Sequence, residues 1–221
     1  MRCGVLGTGI VGQTLGAALV GLGHEVCLGS RSLPNERSQT WAETNGDAAR
    51  VGTFAEAAAF GDIVLNCTAG VHSLAAVDQA GPTAFAGKVV VDVANPLDFS
   101  EGFPPRLAVA PGDSLAEQIQ RMLPDAHVVK VLNTVTASVM VDPGSLEEPT
   151  DLFMAGNDDV AKDQVTTLLT ELGWSRGRVR DLGALSAARS LEAYVMLWLG
   201  LMQSTGSPEF NVRVVTGGAS T

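Results

Sequence analysis

The sequence predicts an α/β fold, a doubly wound parallel sheet that carries a small helical extension at its C-terminal end. Three observations predict it. Short apolar runs rich in Val, Ile and Leu recur along the 221 residues, segments with helical spacing separate these runs, and three closely spaced glycines follow the first run. Strands that alternate with helices are typical of βαβ units with right-handed crossovers, and their simplest arrangement is a doubly wound sheet.

The elements of the larger, N-terminal part follow from these runs in chain order. The apolar runs predict buried strands at Arg2–Leu6, Glu25–Leu28, Ile63–Asn66, Lys88–Val93 and His127–Leu132. Apolar residues at helical spacing predict helices between them at Thr14–Leu22, Phe54–Phe60, Ser73–Gln79 and Ser114–Met122. The loop from Pro96 to Pro111 contains four prolines and is predicted to be irregular, which is typical of a functional or mobile segment.

A turn-rich connection over Asp142–Leu152 predicts the end of a first unit. We therefore expect one domain over residues 1–150 and a small C-terminal part over residues 151–221, in which residues 217–221 fray. The elements predicted in this part are Leu152–Ala155, a helix over Asp158–Leu172, Arg178–Asp181 and a helix over Leu185–Met202. The last helix is apolar around much of its circumference, which indicates a core helix or a homodimer interface.

The charge of the chain limits its partners. It contains 24 acidic and 14 basic residues, a formal net charge of -10. This balance argues against nucleic acid and anionic membrane surfaces as partners, so a bound polyanion needs a few placed basic groups and main-chain N–H groups. No apolar run approaches the roughly 18 residues of a membrane span, and the chain enters its first strand with no signal peptide. We expect a cytoplasmic protein that binds small molecules.

The sequence offers no metal site and no hydrolase motif. Cys3, Cys27 and Cys67 are odd in number and lack CxxC spacing, which predicts buried free thiols rather than disulfides or a zinc site. Three scattered histidines and no HExxH pattern exclude a recognisable zinc centre. No Gly-x-Ser-x-Gly elbow is present, which argues against triad hydrolysis.

The glycine row Gly7-x-Gly9-x-x-Gly12 follows the first predicted strand and opens a predicted helix. In this context the pattern predicts a dinucleotide site of the Rossmann type. Gly7 makes the tight turn, Gly9 lets a diphosphate approach the backbone, and Gly12 lets the helix pack closely on the strand. The N–H groups over Thr8–Val11, which includes Ile10, and the positive end of the helix dipole then bind phosphate without a lysine.

The end of the second strand predicts which dinucleotide binds. Acidic side chains there accept hydrogen bonds from the adenosine ribose of NAD, but this chain has Ser30 and Arg31, with Arg37 further on. A charge-assisted contact from Arg31 to a 2′-phosphate is worth about 1.5–3 kcal/mol, a preference for NADP(H) over NAD(H) of about one to two decades. The sequence therefore predicts an NADP(H) site.

Three blocks resemble the family of NADP reductases that depend on coenzyme F-420 (F420): "MRCGVLGTGIVGQTLGAALVGLGHEVCLGSR", "VVKVLNTV" and "DLGALSAARSLEAYVMLWL". The resemblance runs over essentially the whole chain. It implies an NADP-binding Rossmann domain with a small C-terminal part over the crevice. It also implies an oxidoreductase that transfers a hydride between NADPH and the deazaflavin F420, without a catalytic side chain acting as nucleophile.

The resemblance also implies roles for residues at the carboxyl ends of the strands. Thr8–Val11 hold the diphosphate, and Ser30 and Arg31 hold the 2′-phosphate. The ribose and nicotinamide end is lined by Cys67, Thr68 and Ala69, and the crevice is bordered by Ala94, Asn95, Pro96, Asn133 and Thr134. His72 follows the same strand as Cys67 and is a candidate for cofactor contact.

Several alternatives stay open from the residues themselves. The acceptor could be a flavin, ferric ion or a small imine or carbonyl compound, or the chain could be a non-catalytic NADP(H)-binding sensor. Lys130 and Asn133 have a Lys-x-x-Asn spacing, but on a strand such residues point to opposite faces, which disfavours a catalytic lysine. Arg189 is predicted either to pair with Glu192 or to reach an anionic substrate tail.

Overall fold

The computed structural model describes residues 1–217. Of the segment predicted to fray, residues 217–221, only the first residue lies within this range. Ten strands are present among these residues. They are β1 (Arg2–Leu6), β2 (Glu25–Ser30), β3 (Ala49–Thr53), β4 (Ile63–Asn66), β5 (Val89–Asp92), β6 (Leu97–Asp98), β7 (Arg106–Leu107), β8 (His127–Val131), β9 (Leu152–Gly156) and β10 (Val179–Asp181). Eight of them form one sheet in the order β10-β9-β8-β5-β4-β1-β2-β3, and β6 pairs with β7 in a separate antiparallel hairpin.

Helices cover both faces of this sheet. They are α1 (Ile10–Gly21), α2 (Glu36–Asn45), α3 (Phe54–Phe60), α4 (Gly70–Ala80), α5 (Leu115–Met122), α6 (Ala137–Val141), α7 (Asp159–Glu171) and α8 (Ala188–Thr205). One face packs against α1, α2, α6 and α7, and the opposite face packs against α3, α4, α5 and the start of α8. Because both faces are covered, the central strands are apolar on both sides, as in other buried parallel sheets.

The predicted doubly wound α/β fold is confirmed, with one difference in strand direction. The central strands β1–β5 and β8 are joined by parallel pairings. β9 runs antiparallel to β8, and β10 runs parallel to β9. The connection over residues 132–151 contains only the short α6 and a 3-10 turn. The two C-terminal strands therefore add a reversed edge to the parallel sheet.

The predicted boundaries agree best where an apolar run has clear ends. β1, β4 and α3 match their predicted ranges, whereas β2 continues to Ser30 and α1 begins at Ile10 rather than Thr14. α2 and β3 were not predicted, because α2 is largely polar and β3 is short and mostly half-buried. The loop Pro96–Pro111, expected to be irregular, contains the β6–β7 hairpin. The last helix begins at Ala188 after a 3-10 turn and ends at Thr205.

The division into residues 1–150 and 151–221 stays a prediction. β9 and β10 continue the same sheet beyond residue 150. The start of α8 belongs to the same hydrophobic core cluster as α5. The C-terminal part is thus attached to the N-terminal part through both a strand pairing and a helix contact.

Candidate functional site

The chain reverses its winding between β1 and β4, which are neighbours in the sheet. α1 leaves the end of β1 toward one face, and α4 leaves the end of β4 toward the other. Ligands of open α/β sheets bind in the crevice that such a reversal creates at the carboxyl ends of the strands. Two cavities of about 510 and 630 Å³ open there and share four lining residues, Cys67, Thr68, Ala69 and His72.

Two glycines of the glycine row, Gly7 and Gly9, line the first cavity. Gly7 has φ +114°, and a Cβ there would lie 2.7 Å from the Cys67 carbonyl oxygen. A Cβ on Gly12 would lie 2.2 Å from the Gly7 carbonyl oxygen, so α1 packs directly on the turn. Gly9 differs from both, because no atom lies within 4 Å of the place that its Cβ would occupy. Gly7 and Gly12 are therefore required by the fold, while Gly9 borders open space.

The N-terminal end of α1 faces that open space. Gly9 is its N-cap and offers no side-chain hydrogen bond, and the first turn carries no acidic residue. The first N–H groups of a helix have no partner within the helix, and they lie at the positive end of its dipole. Gln13 donates from Nε2 to the Thr8 carbonyl at 2.8 Å, which fixes the turn. This arrangement suits an anion held by main-chain N–H groups.

The first cavity extends from the glycine turn to the end of β2. Its lining residues are Gly7, Thr8, Gly9, Ser30, Arg31, Ser32, Asn35, Phe54, Cys67, Thr68, Ala69, His72, Ala75, Ala76 and Gln79. None of these is acidic, although the chain carries a net charge of -10. An anion in this cavity therefore meets no carboxylate on its walls.

Arg31 and Ser30 form the outer wall of the first cavity in different ways. Arg31 is exposed, and within residues 1–217 no carboxylate lies within 4.0 Å of its guanidinium. The Ser30 hydroxyl is buried and donates to the Ser32 carbonyl at 2.7 Å. Gln79 reaches across from α4 and donates from Nε2 to the Arg31 carbonyl at 2.6 Å. The side chain of Arg31 is thus free to meet an anion while its backbone is held.

The second cavity is more apolar and carries no charged lysine, arginine, aspartate or glutamate side chain on its walls. It is lined by Ile10, Val11, Cys67, Thr68, Ala69, Gly70, Val71, His72, Val93, Ala94, Asn95, Leu97, Phe99, Ser100, Asn133, Val135, Thr136, Ala137 and Met140. Ile10 is 80% exposed and Phe99 is 55% exposed at this cavity. Such walls suit a flat, largely neutral ring that is bound beside a few polar groups.

Two asparagines meet across the wall of the second cavity. Asn95 donates from Nδ2 to the Asn133 carbonyl at 2.8 Å. Asn133 donates from Nδ2 to Asn95 Oδ1 at 2.9 Å and to the Leu191 carbonyl of α8 at 2.9 Å. Asn133 Oδ1 is buried and has no hydrogen-bond partner among residues 1–217. Since unpaired buried polar atoms are uncommon, this oxygen is a ready acceptor for a ligand N–H or O–H group.

Leu132 places Asn133 there through a strained backbone. Its φ is +67°, in the left-handed region, and it is the one non-glycine residue with positive φ among residues 1–217. Such a conformation costs a leucine about 1 kcal/mol or more, and it often marks a functional turn. The chain thus leaves β8 sharply enough for Asn133 to contact both Asn95 and Leu191.

A row of buried polar side chains lies beneath this wall; we call Asn66, Asp92, Lys130 and Glu192 the buried polar row. Asn66, Asp92 and Lys130 occupy one register across β4, β5 and β8. Asn66 Nδ2 donates to Asp92 Oδ1 at 2.8 Å, and Lys130 Nζ donates to Asp92 Oδ2 at 2.8 Å. Lys130 Nζ also lies 3.2 Å from Glu192 Oε1. Burial raises the pKa of the Glu192 carboxyl, and Lys130 opposes that shift.

Thr68 joins the buried polar row to both cavities. Its hydroxyl lies 2.7 Å from Asn66 Oδ1 and 2.7 Å from the Ser73 hydroxyl. Asn66 Nδ2 also donates to Ser73 at 3.1 Å. The row therefore begins at the crevice and ends at α8.

The cysteine thiols are buried and unreactive in character. Burial raises the pKa of Cys27 to about 11 and of Cys3 to about 12, and it raises the pKa of Cys67 as well. All three are free thiols, as predicted. A thiol is a poor nucleophile in its protonated form, so Cys67 contributes a neutral wall to the crevice.

The structure brings most of the predicted site residues to the two cavities. The first cavity has Gly7, Thr8, Gly9, Ser30 and Arg31, the second has Ile10, Val11, Ala94, Asn95 and Asn133, and both have Cys67, Thr68, Ala69 and His72. Gly12 lies behind the turn. Pro96 instead lines a separate cavity beside α8. Thr134 is buried, and its hydroxyl has no hydrogen-bond partner among residues 1–217. Arg37 is exposed on α2 and lines neither cavity.

The predicted pairing of Arg189 with Glu192 is wrong. Arg189 donates from Nε and Nη2 to the two oxygens of Glu117 on α5, at 2.8 and 2.6 Å. Glu192 instead accepts from the N–H groups of Leu115 and Ala116 at 2.8 and 3.1 Å. Successive turns of α8 therefore bind the first turn of α5, and Arg189 is already engaged by a carboxylate.

Sequence reasoning missed several residues of the crevice. Gln79, Asn35 and Phe54 line the first cavity, and Phe99 and Met140 line the second. Most of them reach the crevice from the middle or end of a helix or from a loop. The polar residues within or at the end of apolar runs, Asn66, Asp92 and Lys130, are a signal that could have located the buried polar row.

Metal centres and membrane-spanning helices are the two other features considered for residues 1–217. No group of three or more His, Cys, Asp or Glu side chains there could hold a metal ion. No described helix is both long enough and apolar enough to cross a membrane.

A mostly parallel sheet, a glycine turn with open space over its second glycine, and an acid-free cavity beside Arg31 define a Rossmann-type dinucleotide-binding protein. Residues 2–96 match the family model described as "NADP oxidoreductase coenzyme F420-dependent". The chain is 31% identical over 162 residues to the F420-dependent NADP reductase of Methanocaldococcus jannaschii, covering 72% of this chain and 70% of that protein. The chain belongs to this family of oxidoreductases, which depend on NADP and F420.

A solved structure supports the assignment over the full length. A protein from Arthrobacter sp. FB24, provisionally described as an F420-dependent NADP reductase, is 42% identical and superposes with a TM-score of 0.91. The match covers 97% of this chain and 99% of that one. A more distant match is metalloreductase STEAP3 of Rattus norvegicus, 27% identical over 87% of this chain but only 36% of that protein.

Proposed function

We propose that this protein transfers a hydride between NADPH and F420. The observation that carries the proposal is that two cavities of different character meet at Cys67–Ala69. One is bordered by a helix N-terminus and a free guanidinium, and the other is neutral and largely apolar. A dinucleotide and a flat ring compound can therefore meet where the cavities join, which suits direct transfer between two bound molecules.

The first cavity fits NADP(H). We propose that the main-chain N–H groups over Thr8–Val11 hold the diphosphate, in the space that a side chain at position 9 would fill. Arg31, which no carboxylate of residues 1–217 engages, would hold the 2′-phosphate beside Ser30. The lack of acidic residues on the walls lowers the repulsion that the protein's net charge would otherwise impose on a phosphate. Arg37, which was also predicted to bind the cofactor, is exposed and does not line this cavity, so we propose no contact for it.

The second cavity fits the reacting rings. We propose that Cys67, Thr68, Ala69 and His72 border the nicotinamide end, and that Ala94, Asn95 and Asn133 line the space for the deazaflavin. When bound, NADPH supplies the hydride and the deazaflavin ring accepts it together with a proton. The protein's own part is to bind both rings, to offer Asn133 Oδ1 as an acceptor, and to keep water out with its apolar walls.

Alternative acceptors and a non-catalytic role are not favoured by the family assignment. The match to a metalloreductase leaves most of that protein outside the comparison, so it gives no support for ferric ion as the acceptor. The cover that α8 makes over the end of β8 would be unnecessary in a simple NADP(H) sensor.

The test is a turnover assay with purified protein. NADPH and F420 should react so that the visible absorbance of the oxidised deazaflavin is lost, and NADH should be much less effective. FMN and ferric citrate in place of F420 serve as controls. Loss of NADPH with FMN or ferric citrate but none with F420 would overturn the proposal in favour of another acceptor.

We further propose that the protein forms a homodimer through α8. Leu197 on this helix is 58% exposed and continues an apolar surface with the half-buried Met196 and Leu201. A dilution series on a sizing column should give the dimer mass throughout, and a monomer at every concentration would exclude the interface. The three buried free thiols suit the reducing cytoplasm that we propose as its location. The net charge supports small molecules, rather than nucleic acid, as its other partners.

A further inference from the structure

Lys130 of the buried polar row is fully enclosed, with 0% of its surface exposed. Its ammonium group contacts three acceptors: Asp92 Oδ2 at 2.8 Å, Glu192 Oε1 at 3.2 Å and the carbonyl of Ala94. Asp92 and Ala94 accept hydrogen bonds from it, and Glu192 is its second ion-pair partner. Because the ammonium group is fully enclosed by these partners, the residue can act on the crevice only through them.

Stability alone gives a weak reason for the charges. A buried ion pair or triad often contributes no more to folding than apolar side chains of similar size would, because both charges lose their hydration. The charged groups of the row do, however, hold the residues around them in fixed places, because hydrogen bonds to carboxylates and from an ammonium group are directional. The role of the row therefore depends on which residues it holds.

The buried polar row holds Ala94 and Glu192, and each of these is adjacent in sequence to a residue that binds Asn133. The row fixes the Ala94 peptide at two points, because Ala94 N–H donates to Asp92 Oδ1 at 3.3 Å and its carbonyl accepts from Lys130. The next residue is Asn95, which binds the amide of Asn133. On the other side the row fixes Glu192, and the preceding residue is Leu191, whose carbonyl is the second acceptor of Asn133 Nδ2.

We propose that Lys130 is a positioning residue for the second cavity. By holding Ala94 and Glu192 it fixes Asn95 and Leu191, and these two bind both N–H groups of the Asn133 amide. The remaining atom, Asn133 Oδ1, is thereby oriented as the free acceptor of the cavity wall. Its ligand is an N–H donor on a neutral ring or carboxamide. This inference rests on the proposed function, because the ring of NADPH or F420 would supply that donor.

A charge-matched variant tests the proposal. Lys130→Met combined with Asp92→Asn removes one positive and one negative charge, so the net charge of the row is unchanged while the hold on Ala94 is lost. We expect kcat with NADPH and F420 to fall by about 10- to 100-fold, the cost of a misplaced contact in an active site. The Kd of NADPH, set mainly at the other cavity, should change less than about threefold.

A double-mutant cycle separates positioning from general destabilisation. In an Asn133→Ala background the charge-matched pair should lower kcat by no more than about twofold further, because the group that it positions is already gone. Losses that multiply, or a kcat near that of the wild type, would overturn the proposal. If the charge-matched pair does not fold, Glu192→Gln, which keeps Lys130 with Asp92, is put through the same cycle with the same criteria.

A readout without ligands keeps this inference distinct from the proposed function. In the wild-type protein alone, the side-chain amide of Asn133, assigned by its loss in Asn133→Ala, should give two separate NMR signals with slow hydrogen exchange. In the charge-matched variant the exchange should become faster. An unchanged amide would refute the positioning role, whereas absence of wild-type turnover with F420 would refute only the proposed acceptor.

Discussion

The two cavities of the crevice are built in different ways. The first depends on residues close together in the sequence, Gly7 to Gly12 and Arg31, and it presents main-chain N–H groups. The second depends on side chains that come from distant parts of the chain, because Asn133 binds Asn95 and Leu191. A local turn is controlled by steric fit at single atoms, whereas the wall of the second cavity is controlled by a chain of hydrogen bonds.

The largest effect is expected from the glycine turn, where the fold and the binding space can be separated. Gly12→Ala places a methyl group 2.2 Å from a backbone oxygen, and overpacking of this kind costs about 1–3 kcal/mol or more. The thermal midpoint should fall by about 2–12 °C, and NADPH binding should be lost with it. Thermal unfolding followed by circular dichroism measures the first effect.

Gly9→Ala is the matched control. Its φ is -79°, and its methyl group would meet no protein atom within 4 Å. We expect an unchanged midpoint together with a loss of NADPH affinity of about tenfold or more, since the methyl group fills the space proposed for the diphosphate. NADPH binding equal to that of the wild type would show that the diphosphate lies elsewhere.

The next effect concerns the only two arginines predicted for the first cavity. Arg31→Ala should weaken NADPH binding by about 10- to 100-fold, since a charge-assisted hydrogen bond is worth about 1.5–3 kcal/mol, and it should leave NADH binding nearly unchanged. Arg37→Ala should alter neither, because that side chain lies away from the cavity. Fluorescence titration with both nucleotides distinguishes the variants, and equal losses for NADPH and NADH would contradict the role of Arg31.

The smallest effect is expected where α8 meets α5 at the surface. A hydrogen bond from Arg189 lowers the pKa of Glu117, so the pair stabilises the fold above the pKa that Glu117 has in the unfolded chain. That contribution is lost as the pH falls through the lower, folded pKa. Arg189→Gln should lower the midpoint by about 1–2 °C at pH 7, since exposed pairs contribute little, and by less as the pH falls through the folded pKa of Glu117.

Arg121→Gln provides the comparison for this pH dependence. Arg121 binds Asp113, and its hydrogen bond lowers the pKa of that carboxyl to about 2. The effect of this substitution should therefore persist to a lower pH than the effect of Arg189→Gln. Thermal unfolding from pH 7 to pH 2 tests the order, and the reverse order would contradict the assignment of the two pairs.

The glycine turn of the first cavity could be predicted from the sequence, whereas the hydrogen bonds behind the wall of the second cavity could not, for one physical reason. The spacing of Gly7, Gly9 and Gly12 is itself the geometry of a turn. By contrast, Lys130 binds Asp92, which lies 38 residues away in the sequence. Only the register of the strands places these two residues together. Pairing with Glu192, a neighbour on its own helix, was one of the two alternatives predicted for Arg189, although the carboxylate that it binds belongs to Glu117, 72 residues earlier.

The same distinction explains the elements of the fold. Ile63–Asn66 is uniformly buried, so its apolar run marks the strand completely. β3 lies at the sheet edge and is mostly half-buried, with Arg50 exposed and only Gly52 buried, and this weak pattern gave no prediction. The strained φ of Leu132 also left no trace in the sequence, because a leucine does not favour that conformation and only its surroundings impose it.

The cap that Glu192 places on α5 has a consequence for synthesis of the chain. The first N–H groups of α5 donate to the carboxylate of Glu192, which the ribosome adds 77 residues later. Until α8 emerges, the N–H groups of Leu115 and Ala116 lack their acceptor and the ammonium of Lys130 lacks one of its three partners, while the glycine turn and its helix are already complete. A nascent chain would therefore acquire its dinucleotide cleft early and its opposite wall only at the end of translation.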